Sequence, residues 1–190
     1  MTRFPAIPDA ELSADQRRVV EAILAGPRGS LRGPFVPLLR SPALADHVQR
    51  LGAHLRFNKA LPRDVTELAI LVTARACRAQ FEWHAHAPLA ASAGVPETVI
   101  AAIGRGETPE DASPALRLAH DFVASLHASR AVDDATFATA RETWGEHGVI
   151  ELTALCGYYT LVALILNVAE MPVPEGSRVP FEPARAETTE

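Results

Sequence analysis

The sequence predicts an all-α protein, and three observations carry that expectation. No stretch alternates apolar and polar residues with a period of two, and no Asn-Gly or Asp-Gly pair marks a hairpin. Apolar residues recur at helical spacing instead, as Leu44, Val48, Leu51 and Leu55 do. Helix starts (Ser or Asp caps, proline in the first turn) and glycine stops punctuate the chain at intervals that suit helices joined by short loops.

Taken in order, Ser13 caps a first helix, with Gln16 placed three residues on for a capping box, and Gly26-Pro27 ends it. GPRGSLRGPFVPLL, rich in Gly, Pro and Arg, reads as a loop leading into a short apolar segment around Phe35–Leu39. Ser41-Pro42 opens an amphipathic helix. Leu61-Pro62 opens another that runs to about Arg78, and a further segment runs from Gln80 to about Ser92, with Gly94 as its cap. Pro96 begins a short helix closed by Gly104 and Gly106, and Ser113-Pro114 starts the next. Asp133 caps a helix that stops near Gly145 or Gly148, and the last long helix runs from about Val149 to Ala169. Residues 1–171 thus read as one helical domain, and 172–190 as a Pro- and Glu-rich tail, extended or disordered, whose one large anchor for a neighbouring copy is Phe181. VTELAILVTARACRAQFEW and VIELTALCGYYTLVALILN form a weak internal repeat that pairs Glu67 with Glu151, as a duplicated helical hairpin would.

Composition narrows the function classes. The chain has 190 residues, 48% hydrophobic and 22% charged, with a net charge of -5, as an ordinary globular domain has. Lys59 is the only lysine, and no basic block interleaves with aromatics, which argues against a nucleic-acid partner. Cys77 and Cys156 make no disulfide framework and the N-terminal residues lack a secretory core, so the expected setting is cytoplasmic. LTALCGYYTLVALILNVA is long enough to consider for a membrane. Its Thr, Tyr and Asn residues and the absence of flanking basic clusters read instead as a helix buried in protein.

The chemistry gathers in ELAILVTARACRAQFEWHAHAPLAASAG, where Glu67, Cys77, Glu82, Trp83, His84 and His86 sit among apolar residues. On a helix Glu82 and His86 share a face, and a carboxylate beside an imidazole is what proton transfer needs. An exposed pair of this spacing would be a minor ion pair, but its apolar neighbours indicate a partly buried face. Glu67 near a helix start has a plain role against the helix dipole. One unbroken helix would hold it about 22 Å from Glu82. A break near Cys77–Gln80 lets the second segment fold back and bring the two together. His84 and His86 point to opposite sides and make no metal pair, and no metal set or C-x-x-C is present. Arg75 and Arg78 flank Cys77 and would lower its pKa, although a small apolar filler is the plainer role for both cysteines.

The ELAIL helix, the FEWxxH element and the Ala-rich run to AGV, with GPF and GYYTLVALILN on either side, resemble the carboxymuconolactone decarboxylase family, which includes alkyl hydroperoxidase D-like proteins. The resemblance spans roughly Gly33 to Pro172. It implies an all-helical alkyl hydroperoxidase D-like bundle and a homo-oligomer, a trimer or hexamer. It also implies a site in which Glu67 and His86 match a proton relay. The peroxidase branch's two redox cysteines fall on Ala79 and Glu82, and Cys77 lies two places early, so a dithiol cycle is disfavoured. The expected function is cofactor-free acid/base chemistry, decarboxylation or isomerisation, on a small carboxylated or lactone-like compound. Glu67, Glu82 and His86 are the expected catalytic residues, and Phe35, Arg75, Arg78 and Trp83 the expected substrate contacts. The alternatives are a hydroperoxide reductase using Cys77 and a non-enzymatic scaffold.

Overall fold

The computed structural model describes residues 2–184. Its helices are α1 (Ala14–Ala25), α2 (Phe35–Leu38), α3 (Pro42–Phe57), α4 (Arg63–Ala76), α5 (Gln80–Ser92), α6 (Glu97–Arg105), α7 (Pro114–Ser129) and α8 (Asp134–Val168), and no strand occurs among the described residues. The capping box at Ser13 forms as the spacing predicts: Gln16 N–H donates to Ser13 Oγ and Ser13 N–H to Gln16 Oε1. Ser41 precedes Pro42 without a side-chain cap bond, so proline alone shapes the start of α3.

α4 is the axis of the bundle. Every residue from Val65 to Ala74 is buried, and α5, α6, α7 and α8 all pack against it. A helix covered on all sides has no solvent face, so each polar group on it needs a partner. Thr66 Oγ1 donates to Pro62 O and Thr73 Oγ1 lies 3.1 Å from His127 Nε2. Glu67 pairs across to α5.

The break between α4 and α5 falls where the sequence places it. Arg78 adopts the left-handed conformation (φ 51). Ala79 N–H then reaches back to Ala74 O, and Arg78 N–H to Arg75 O. Asn167 Nδ2 on α8 also donates to Cys77 O, meeting one of the carbonyls the helix end leaves open. The chain reverses and lays α5 alongside α4.

The break expected near Gly145 or Gly148 falls at Gly145 (φ 70, ψ 172), and the last arm begins a few residues before Val149. The residues that suggested a repeated hairpin lie in that arm, and no helix follows it among the described residues. The tail also lies on its own chain. Phe181 is buried, its ring 5.4 Å edge-on from Trp83, and Gln80 Nε2 donates to its carbonyl at 2.6 Å. Residues 185–190 of the expected tail lie outside the described residues. α8 is the one helix described that is long and apolar enough to cross a membrane, and half of its most apolar stretch is buried inside the protein.

Candidate active site

The local sequence sets two of the three central side chains. Glu82 in the first turn of α5 and His86 one turn on share a face, and Glu82 Oε1 lies 3.1 Å from His86 Nε2. The third comes from α4: Glu67 Oε2 lies 2.7 Å from His86 Nδ1. The imidazole is thus held edge to edge between two carboxylates, and all three residues are at most 5% exposed. Tyr159 of α8 closes the group, with its ring 5.2 Å edge-on from the imidazole and its hydroxyl 3.5 Å from Nε2.

Burial alone pushes the His86 imidazole down, but the hydrogen bonds it gives Glu67 and Glu82, and their negative charge, outweigh that and hold it above its ordinary value. Its charged form donates from both ring nitrogens, one to each carboxylate. Burial raises the Tyr159 hydroxyl well above its ordinary value, so it stays protonated.

A cavity of about 280 Å³ opens on this group. Glu82 and His86 stand on its wall beside Phe35, Phe81, Tyr158 and Tyr159, whereas Glu67 lies behind His86 and does not line it. Arg28, Arg32, Arg56 and Arg63 also reach the cavity. Of the expected substrate contacts only Phe35 is there. Trp83 is buried under Phe181, and the Arg75 Nε donates to Gly104 O while its guanidinium lies 5.2 Å over the Phe181 ring. Arg78 is exposed at the α4–α5 reversal and does not reach the cavity either. The reason is geometric. Arg75 and Arg78 sit eight and eleven residues beyond Glu67, roughly 12 Å and more along the chain direction of α4. Trp83 precedes His86 by three residues but faces the tail.

The residues missed in sequence are Arg28, Arg56, Tyr158 and Tyr159. The adjacent tyrosines in an otherwise aliphatic helix were the available signal, since buried tyrosines need partners for their hydroxyls.

Cys77 lies elsewhere. It lines a separate open groove with Cys156, His127 and Arg130. Burial pushes both thiols up, and Cys156 Sγ lies 3.4 Å from His127 Nε2. No group of three or more His, Cys, Asp or Glu side chains among the described residues is arranged to hold a metal ion.

An all-helical bundle whose central helix and its fold-back partner clamp one histidine between two carboxylates defines the class: an alkylhydroperoxidase D-type fold with a buried carboxylate–imidazole site. Residues 42–134 match the family model of the carboxymuconolactone decarboxylase family. The fold is shared with the crystal structure of an alkylhydroperoxidase AhpD core, an uncharacterized peroxidase-related protein from Ralstonia eutropha JMP134. That match has a TM-score of 0.76 at 19% identity, over 92% of this chain and 93% of that one. No curated protein matches the chain.

Proposed function

We propose that the protein is an enzyme of acid/base type that needs no cofactor and acts on a small carboxylated or lactone-like compound, by decarboxylation or isomerisation. One observation carries the reading: Glu82 and His86, 3.1 Å apart, form the reactive wall of a cavity that also holds apolar and cationic groups. Buried titratable groups gathered on the wall of a cavity are where acid/base sites concentrate.

In this reading Glu67 fixes His86 through Nδ1 and balances its charge. Nε2 and Glu82 exchange protons with the substrate. In decarboxylation the carbon–carboxylate bond breaks, its electron pair passes to carbon as carbon dioxide leaves, and the imidazolium Nε2–H protonates that carbon. Solvent then returns one proton to the imidazole. In isomerisation Glu82 removes a proton from carbon and His86 delivers one at the new position. Phe35 and Phe81 wall the cavity, and its arginines offer a carboxylate its counter-charge. Expected partners are the small substrate and further copies of the chain, and no cofactor enters the scheme. Cys77 lines a different groove, so a thiol route gains no support from the geometry of this cavity.

The test is turnover of a panel of carboxylated lactones, carboxymuconolactone included, read by carbon dioxide release and by deuterium uptake in heavy water. His86→Gln should lower turnover at least about 100-fold, the usual scale for a proton-transfer group, and Cys77→Ser should leave it unchanged. Turnover by His86→Gln at the wild-type rate, or its loss in Cys77→Ser alone, overturns the reading.

A further inference from the structure

Four arginines line the active-site cavity, yet among the described residues the only carboxylate on its wall is Glu82, which is engaged with His86. None of the four forms an ion pair among the described residues. Arg32 and Arg63 are exposed at the rim, while Arg28 and Arg56 are half-buried. The Nε atoms of Arg28 and Arg56 are fully buried and have no hydrogen-bond partner. An N–H on a permanent cation that has lost its water and gained nothing in return is expensive, and it is rare in a folded chain.

The two inner arginines are held in place by specific neighbours. Arg28 comes from the loop between α1 and α2, lies 4.7 Å over the Phe35 ring, and donates through Nη2 to the Tyr158 hydroxyl at 3.1 Å. Arg56, in the last turn of α3, lies 5.2 Å over the Phe57 ring. Beneath the Arg28–Tyr158 pair is Gly52 of α3. A β-carbon there would sit 2.0 Å from the Tyr158 hydroxyl and 2.2 Å from Arg28 Nη2. Glycine inside a helix is unfavourable by about 1 kcal/mol relative to alanine. Here its bare backbone makes the room in which the pair sits.

We propose that Arg28, Arg56 and Tyr158, seated over Gly52, form an oxyanion-binding subsite that takes a carboxylate or phosphate group of the substrate beside the Glu82–His86 wall. A guanidinium offers several N–H donors in a fixed plane that match the oxygens of such a group, and both side chains line the cavity without a carboxylate partner. Arg28 and Tyr158 lie outside residues 42–134 while Gly52 and Arg56 lie inside, so half of the subsite comes from beyond the family match. The inference rests on the acid/base reading only for the claim that the bound anion is substrate.

The test is calorimetric titration of the full chain with succinate and, separately, inorganic phosphate, for wild type, Arg28→Gln, Arg56→Gln, Arg56→Lys and His86→Gln. Wild type should bind at least one anion saturably. Both glutamine variants should weaken it roughly 10- to 100-fold, the scale of hydrogen bonds to a charged group. Arg56→Lys, which keeps the charge but not the fork, should also lose affinity, and this covers the case in which a glutamine variant fails to fold. Tighter succinate marks the group as a carboxylate, tighter phosphate as a phosphate. His86→Gln should retain binding, which separates this subsite from the proton chemistry. Failure of both anions to bind wild type, or unchanged binding in either arginine variant, overturns the proposal.

Discussion

Glu67 and His86 are 19 residues apart in sequence, yet Oε2 of one lies 2.7 Å from Nδ1 of the other, with both side chains buried. The reversal at Arg78 makes this contact possible.

Removing one member of a buried pair leaves the other charge without compensation. Glu67→Ala should therefore destabilise the fold by about 3–5 kcal/mol. The double replacement Glu67→Leu/His86→Leu should cost far less than the sum of the single changes. Urea unfolding of the four proteins measures the coupling, and additive costs would contradict a direct pair.

The raised His86 pKa has a defined consequence for stability. A group held above its unfolded value contributes fully below that value, near 6.5, and loses the contribution as pH rises through the folded value. The stability gap between wild type and His86→Gln should thus be largest below about pH 6.5 and shrink as pH rises through the raised folded-state value. A gap that widens with pH would mean a neutral imidazole in the folded protein.

Arg78 carries a positive φ of 51 without being glycine, at the position that closes α4. Left-handed backbone costs an ordinary residue about 1–2 kcal/mol, part of which glycine returns as unfolded-state entropy. Arg78→Gly should raise stability by about 0.5–1 kcal/mol without changing turnover. Equal or lower stability would show that the arginine side chain earns its place there.

Phe181 packs edge-on against Trp83, and neither residue lines the cavity. Phe181→Ala should cost about 2 kcal/mol, the scale of burying a large apolar side chain, and leave anion binding at the cavity intact. A near-zero cost by thermal unfolding would mean that the tail adds nothing in solution.

Much of the fold was legible in sequence because its signals are local. The Ser13–Gln16 box, Gly94 and Gly106 in left-handed caps, and the reversal before Gln80 all depend on residues within a turn or two of one another. The tail's extended course and its anchor, Phe181, were legible, but its partner was not: Phe181 packs on Trp83 of its own chain, and composition does not record a distant partner. Arg75 was expected to hold a substrate carboxylate. A helix converts sequence separation into distance along its axis, and that carries Arg75 to Gly104 and away from the cavity.

By itself the sequence determined the all-helical class, the helix boundaries to within a few residues, and the Glu82–His86 pair, because a four-residue helical spacing guarantees a shared face. Only the tertiary structure decided that Glu67 stands behind His86, that Tyr159 closes over it, and that the cations at the cavity are Arg28 and Arg56 rather than Arg75 and Arg78. Those contacts join residues as far apart as Arg28 and Tyr158, 130 positions distant. No local periodicity encodes such a meeting; the packing of α3 and α8 around the buried axis of α4 produces it.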